Sequence, residues 1–109
     1  LQLKVCEYSR DSQGIGKAYS NKGNVYMEMS EHDKAISCFN EALNISLEIG
    51  NKREEGISLA NLGEIFMKTG DTVKSREYLE KSLIMFRENG DINHEKMVIN
   101  DIKKLNSKQ

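Results

Sequence analysis

The sequence predicts an all-α protein, a stack of antiparallel helical hairpins repeated every 40 residues. Three observations predict it. Slid against itself by 40 positions, the chain matches residues 11–50 to residues 51–90 at eight identities, where composition alone gives roughly two or three. There is no proline among the 109 residues, so the strongest helix breaker is missing throughout. Glycine supplies the punctuation instead, closing apolar-periodic segments at Gly50, Gly70 and Gly90.

The identities are Gly16/Gly56, Asn21/Asn61, Gly23/Gly63, Met27/Met67, Lys34/Lys74, Leu43/Leu83, Glu48/Glu88 and Gly50/Gly90. Similar pairs keep the register, among them Val25/Ile65, Tyr26/Phe66, Ala35/Ser75, Phe39/Leu79 and Ala42/Ser82. A fixed offset needs a repeated structural unit; helix propensity alone does not produce one. The chain therefore reads as a single domain in four parts. Residues 1–10 end a preceding unit, 11–50 and 51–90 are whole units, and 91–109 form a C-terminal capping helix. A first residue that is Leu rather than Met suggests a piece of a longer protein.

Each unit reads as two helices. In the first unit Tyr19, Gly23, Val25 and Tyr26 recur on one face. A turn follows at Ser30-Glu31, and a second helix turns Ala35, Ile36, Phe39, Ala42, Leu43 and Leu47 inward. The second unit repeats the pattern with Leu59, Leu62, Gly63 and Phe66, and Asp71 is placed to cap the next helix. That helix carries Tyr78, Leu79, Leu83 and Met85 or Phe86 inward. The last helix presents Met97, Val98, Ile99, Ile102 and Leu105. Glycine inside a helix costs about 1 kcal/mol relative to alanine. Gly23 and Gly63 thus imply a close helix crossing, with Ala35, Ala42, Ser75 and Ser82 as the small partners.

These residues resemble the tetratricopeptide repeat, whose signature places a large residue, Leu-Gly and Tyr in the first helix and Ala, Phe, Ala in the second. The first unit offers Tyr19, Lys22-Gly23, Tyr26, Ala35, Phe39 and Ala42. The second offers Leu59, Leu62-Gly63, Phe66, Ser75, Leu79 and Ser82. Lys22 departs from the usual leucine and the two serines from alanine. The 40-residue spacing exceeds the usual 34 or so, by longer helices or a longer link around Asn51–Glu55. This longer form is similar to the repeats of Pins-type adaptors, kinesin light chain and bacterial signalling proteins. The resemblance implies a right-handed α-solenoid whose first helices line a concave groove for an extended peptide. It also implies a cytoplasmic scaffold inside a larger signalling or regulatory protein.

In those relatives the asparagine before Leu-Gly bonds the peptide main chain, a role that falls here on Asn21 and Asn61. An amide side chain offers one donor and one acceptor together, matching a peptide group. A neighbouring helix offers the same groups, so a structural use stays open. On the same face belong Lys17, Ser20, Asn24, Met27 and Glu28, then Ile57, Ala60, Glu64, Met67 and Lys68. Amide, apolar and oppositely charged residues together fit a protein or peptide partner of mixed character. The carboxylate clamp of chaperone-binding relatives is not matched. Asn24 and Asn61 occupy two of its positions, but Ser20, Met97 and Asp101 stand where its basic residues belong.

Net charge is −1, from 16 basic and 17 acidic residues. Such a balance gives no field to gather nucleic acid or anionic lipid, and no apolar run reaches a membrane span of about 18 residues. No cofactor or metal is expected. Cys6 and Cys38 are far apart, without metal-ligand spacing, and suit small apolar sites in a reducing compartment. Neither histidine, His32 nor His94, has the neighbours of a catalytic base, and no nucleophile elbow, phosphate loop or HExxH occurs. The chain is not expected to be an enzyme. The competing expectation is a self-associating module. An open solenoid end at Leu1–Tyr8 would expose Leu3 and Val5, whereas Asn100, Asp101, Lys103 and Lys104 give the last helix a polar side.

Overall fold

The computed structural model describes the backbone of residues 2–107 and the side chains of residues 12–107. Five helices follow one another: α1 (Gln2–Glu28), α2 (His32–Ile49), α3 (Lys52–Thr69), α4 (Thr72–Asn89) and α5 (Ile92–Ser107). No strand occurs among the described residues. Each helix packs on the next in antiparallel hairpins, and α3 also touches α1 and α5. The fold is thus the expected all-α stack.

The turns explain the regularity. Gly50, Gly70 and Gly90 adopt φ of 71°, 91° and 70°. The N–H groups of Asn51, Asp71 and Asp91 reach back to the carbonyls of Ser46, Phe66 and Phe86 at 2.9 Å in each case. This closure satisfies the orphan carbonyls at each helix end and needs a left-handed residue, which glycine adopts without strain. The next residue caps the following helix. Asn51, Asp71 and Asp91 accept the N–H of Glu54, Lys74 and His94 at 3.1, 3.1 and 3.2 Å. Two-residue turns therefore separate 18-residue helices, and the extra length of the unit lies in the helices.

The α1–α2 turn has the same shape with poorer residues. Glu31 N–H bonds Tyr26 O at 2.8 Å, but Ser30 occupies the left-handed position at φ 63° and Glu31 makes no side-chain cap. A residue with a Cβ is strained there by about 1–2 kcal/mol. Ser30→Gly is therefore expected to stabilise the protein by about 1 kcal/mol, seen as a higher urea midpoint with an unchanged slope.

The backbone of α1 runs unbroken from Gln2 through residue 11. The dipeptide Arg10-Asp11 lacks the glycine that opens the later turns. The side chains of Leu3, Val5 and Cys6 lie outside the described residues.

The core divides into two clusters. Met27, Ala35, Phe39, Leu62 and Ile65 join α1, α2 and α3. Leu79, Phe86, Val98 and Leu105 join α4 and α5, with Ile57, Ala60 and Met67 of α3 against them. Phe66, stacked on Tyr78 at 5.6 Å, lies beneath Lys74 at 5.2 Å, as Tyr26 lies beneath Lys34 at 5.6 Å. One repeated cation–π contact thus gives the Lys34/Lys74 identity a physical reason.

Both glycines serve the crossing, and the atoms nearest them belong to the large residue of the second helix. A Cβ on Gly23 would lie 2.6 Å from Phe39 Cε1, and one on Gly63 2.7 Å from Leu79 Cγ. It is the large residue of the second helix that fills the glycine notch. Ser75, in the place of Ala35, donates to Gly63 O at 2.8 Å, so this serine ties the helices together and does not merely loosen the packing.

Three residues expected inside are outside. Val25 is 55%, Leu47 54% and Met97 61% exposed. Beside Leu47, the inner position of α2 belongs to Ser46, whose hydroxyl donates to Leu43 O at 2.7 Å. All the buried polar residues among those described are serines: Ser12, Ser20, Ser46, Ser58, Ser75 and Ser82. Ser46 and Ser82 bond a carbonyl of their own turn and Ser75 one across the hairpin, while Ser20 and Ser58 are buried with no hydrogen-bond partner among the described residues.

Candidate functional site

First helices lie side by side because each hairpin returns the chain to the same end. Between α1 and α3 this leaves a cleft of about 430 Å³ lined by Asn24, Met27, Glu28, Glu64 and Lys68. The lining combines one amide, one thioether, two carboxylates and one ammonium. A small-molecule pocket is usually enclosed and mostly apolar; this one is open and polar, with hydrogen-bonding groups on both walls. A second cleft of about 430 Å³ lies between the middle of α1 and the start of α3, lined by Gln13, Gly14, Lys17, Asn51, Arg53 and Glu54.

Of the sequence-predicted residues, Asn24, Met27, Glu28, Glu64 and Lys68 therefore share one cleft, and Lys17 lies in the other. Asn21 is exposed and Asn61 half-buried; neither lines these two clefts. Met27 is also a core residue, 8% exposed. Ser20 is buried, with no hydrogen-bond partner for its hydroxyl. Ile57, Ala60 and Met67 pack against the α4–α5 cluster, because α3 sits in the middle of the stack and has neighbours on both sides.

Electrostatics extend the site to α5. Burial pushes the Glu64 carboxyl above its usual range; Asp101 on α5 adds to the rise, while Lys68 and Lys104 oppose it. Burial likewise raises Asp101, against the pull of Lys104. Asp101 stands 40 residues after Asn61 and Lys104 40 after Glu64, so the same register that located the first two helices reaches the third. Gln13, Arg53 and Glu54 were not anticipated as lining residues. The only signal for them was their place about one turn or more before the predicted residues on the same two helices.

A carboxyl raised in the folded state binds its proton more tightly folded than unfolded. Its contribution is then most favourable below the unfolded pKa and declines as pH rises through the folded one. Glu64→Gln is expected to raise the melting temperature at pH 7, and the gain should vanish at a pH below the usual carboxylate range. Melts at the two pH values check it; an equal gain at both would contradict it.

At the α4–α5 turn Asp91 has a structural use. Its carboxyl is held below the usual range first by the His94 backbone N–H and further by the His94 ring, 2.8 Å away, and by Arg53. The His94 ring stacks on Phe86 at 4.9 Å. These contacts fasten α5 to the stack. No group of three potential metal ligands occurs among the described residues, and no helix there is long and apolar enough to cross a membrane.

On the opposite side, α2 and α4 flank a third cleft of about 430 Å³, with Leu43, Leu47, Leu59, Tyr78, Ile84 and Met85 around it. Apart from Glu55 and Lys81 its lining is apolar or aromatic, in contrast to the polar inner cleft.

The family model for the tetratricopeptide repeat matches residues 14–88. No curated protein matches the chain.

Proposed function

Because the chain belongs to the tetratricopeptide repeat family, whose members generally mediate protein–protein interaction, we propose that it holds an extended peptide segment of a partner protein. The segment lies across the first helices α1, α3 and α5. One observation carries this reading: the open cleft in which Asn24, Glu28, Glu64 and Lys68 surround Met27. Amide and charged groups on both walls suit a peptide backbone and side chains of either sign, and Met27 can adapt to an apolar one. Asn21 and Asn61 lie beside this cleft by helix register, and their amides reach the main chain of a segment running across it. The domain acts as a non-catalytic scaffold within a larger signalling or regulatory protein of the cytoplasm.

A peptide library displayed on phage and panned on the purified protein tests this. Enriched peptides should bind at least tenfold more weakly to the Asn24→Ala/Asn61→Ala variant, with helicity retained. Peptides whose affinity is unchanged by both substitutions would remove the cleft from consideration.

A further inference from the structure

The two clefts between α1 and α3 are the ends of one groove. Lys17 and Glu28 stand eleven residues apart on α1, and Arg53 and Glu64 eleven apart on α3. On a helix that spacing is about 16 Å. Asn21 comes four residues after Lys17 and three before Asn24, and Asn61 seven after Glu54 and three before Glu64. Helical spacing therefore puts both amides on the groove's walls, between its two ends.

The ends differ in charge. At one end Lys17 and Arg53 stand with a single carboxylate, Glu54. Arg53 reaches Glu54 at 3.8 Å and Asp91 at 3.6 Å, while Lys17 forms no ion pair among the described residues. The Asn51 side-chain oxygen accepts the Glu54 N–H, which leaves its NH2 group as a further donor there. At the other end Glu28 and Glu64 stand with a single ammonium, Lys68. None of these three is in an ion pair among the described residues.

An ammonium binds a carboxylate, and a pair of carboxylates binds a guanidinium, through charge-assisted hydrogen bonds. Opposite charges at the two ends also fix the register of whatever lies between them and turn away like-charged segments. We infer that the groove takes an extended partner segment carrying one acidic and one basic residue about five positions apart, since an extended chain covers about 16 Å in five residues. The acidic residue lies at Lys17 and the basic one at Glu28 and Glu64. The inference rests on the reading of the Met27 cleft as a peptide site and deepens it. From that cleft the segment continues along the α1–α3 groove, where Asn21 and Asn61 meet its main chain between the two charged residues.

The test uses synthetic peptides of about ten residues, long enough when extended to span both clefts, with threonine and valine as neutral filler. Two carry Asp and Arg five positions apart, one in each order. Three controls carry two Asp or two Arg at the same spacing, or Asp and Arg side by side. In fluorescence anisotropy with the full chain, a spaced mixed peptide should bind about tenfold more tightly than any control. Lys17→Glu makes both ends acidic and should move the preference to the Arg pair. Glu28→Lys should move it to the Asp pair. Both positions are exposed, so the helical spectrum should not change. Lys103→Glu, an exposed site on α5 outside the groove, should leave the mixed peptide preferred. Equal binding of all the peptides, no binding, or a preference that Lys103→Glu alters as much as Lys17→Glu does would overturn the inference. The underlying reading fails separately, when peptides panned on the protein ignore Asn24→Ala/Asn61→Ala. Panned peptides that depend on those asparagines but not on Lys17 or Glu28 would overturn the inference alone.

Discussion

Replacing Phe39 with alanine is expected to cost about 3–5 kcal/mol, a large share of the roughly 5–15 kcal/mol that holds a domain of this size together. The ring is fully buried. It belongs to the cluster that joins α1, α2 and α3, and it fills the notch that Gly23 leaves open. Alanine would leave a cavity bounded by three helices, and a glycine notch cannot collapse to fill it. Urea unfolding followed by helical circular dichroism would measure the loss. A cost below about 1 kcal/mol would mean that Phe39 does not anchor the junction of the two units.

The second large effect concerns the glycines. Gly63→Ala would place a Cβ 2.7 Å from both Leu79 Cγ and Cδ2 and 3.3 Å from the Leu79 backbone N. Alanine recovers about 1 kcal/mol of helix propensity, but overpacking typically costs about 1–3 kcal/mol and more where a backbone must move. A net loss of about 2 kcal/mol is expected. For Gly23→Ala the three nearest atoms are all in the Phe39 ring, the closest at 2.6 Å. The two sites should therefore respond differently to removal of the partner. With Phe39→Ala in place, Gly23→Ala should change sign and stabilise, because only the propensity gain is left. With Leu79→Ala in place, Gly63→Ala should improve but retain part of its cost, because the backbone atom stays. Double-mutant cycles read this coupling directly. Additive effects at both sites would contradict the notch geometry.

The sequence carried most of the fold, for reasons visible in single residues. The offset of 40 survives because the same contacts recur: Gly23 with Phe39, Gly63 with Leu79, Lys34 over Tyr26 and Lys74 over Phe66. A finer period of 20 was also present. Gly50, Gly70 and Gly90 close successive helices at equal intervals, and their equivalent, Ser30, hides the period at its first occurrence. Hydropathy misled where size mattered more. Ser46 lies inside α2 and Leu47 outside, because a helix contact rewards a small side chain whose hydroxyl can bond back to its own turn.

The candidate site was legible in part. Register alone brought Asn24, Met27, Glu28, Glu64 and Lys68 to one cleft. It could not separate the two edges of a helix face, so Ile57, Ala60 and Met67 went to packing against α5. The middle helix of the stack has both flanks occupied, and that follows from tertiary order, which a periodic pattern does not encode.

Amide chemical-shift mapping with the tightest peptide from the panning experiment bears most directly on the proposed function. If the partner segment crosses the first helices, the perturbed residues will gather at Asn24, Glu28, Glu64, Lys68 and Asp101, while Leu47 and Ile84 stay unmoved. Perturbations confined to the apolar cleft of Leu43, Leu47, Tyr78 and Ile84 would place binding on the second helices and contradict the proposal.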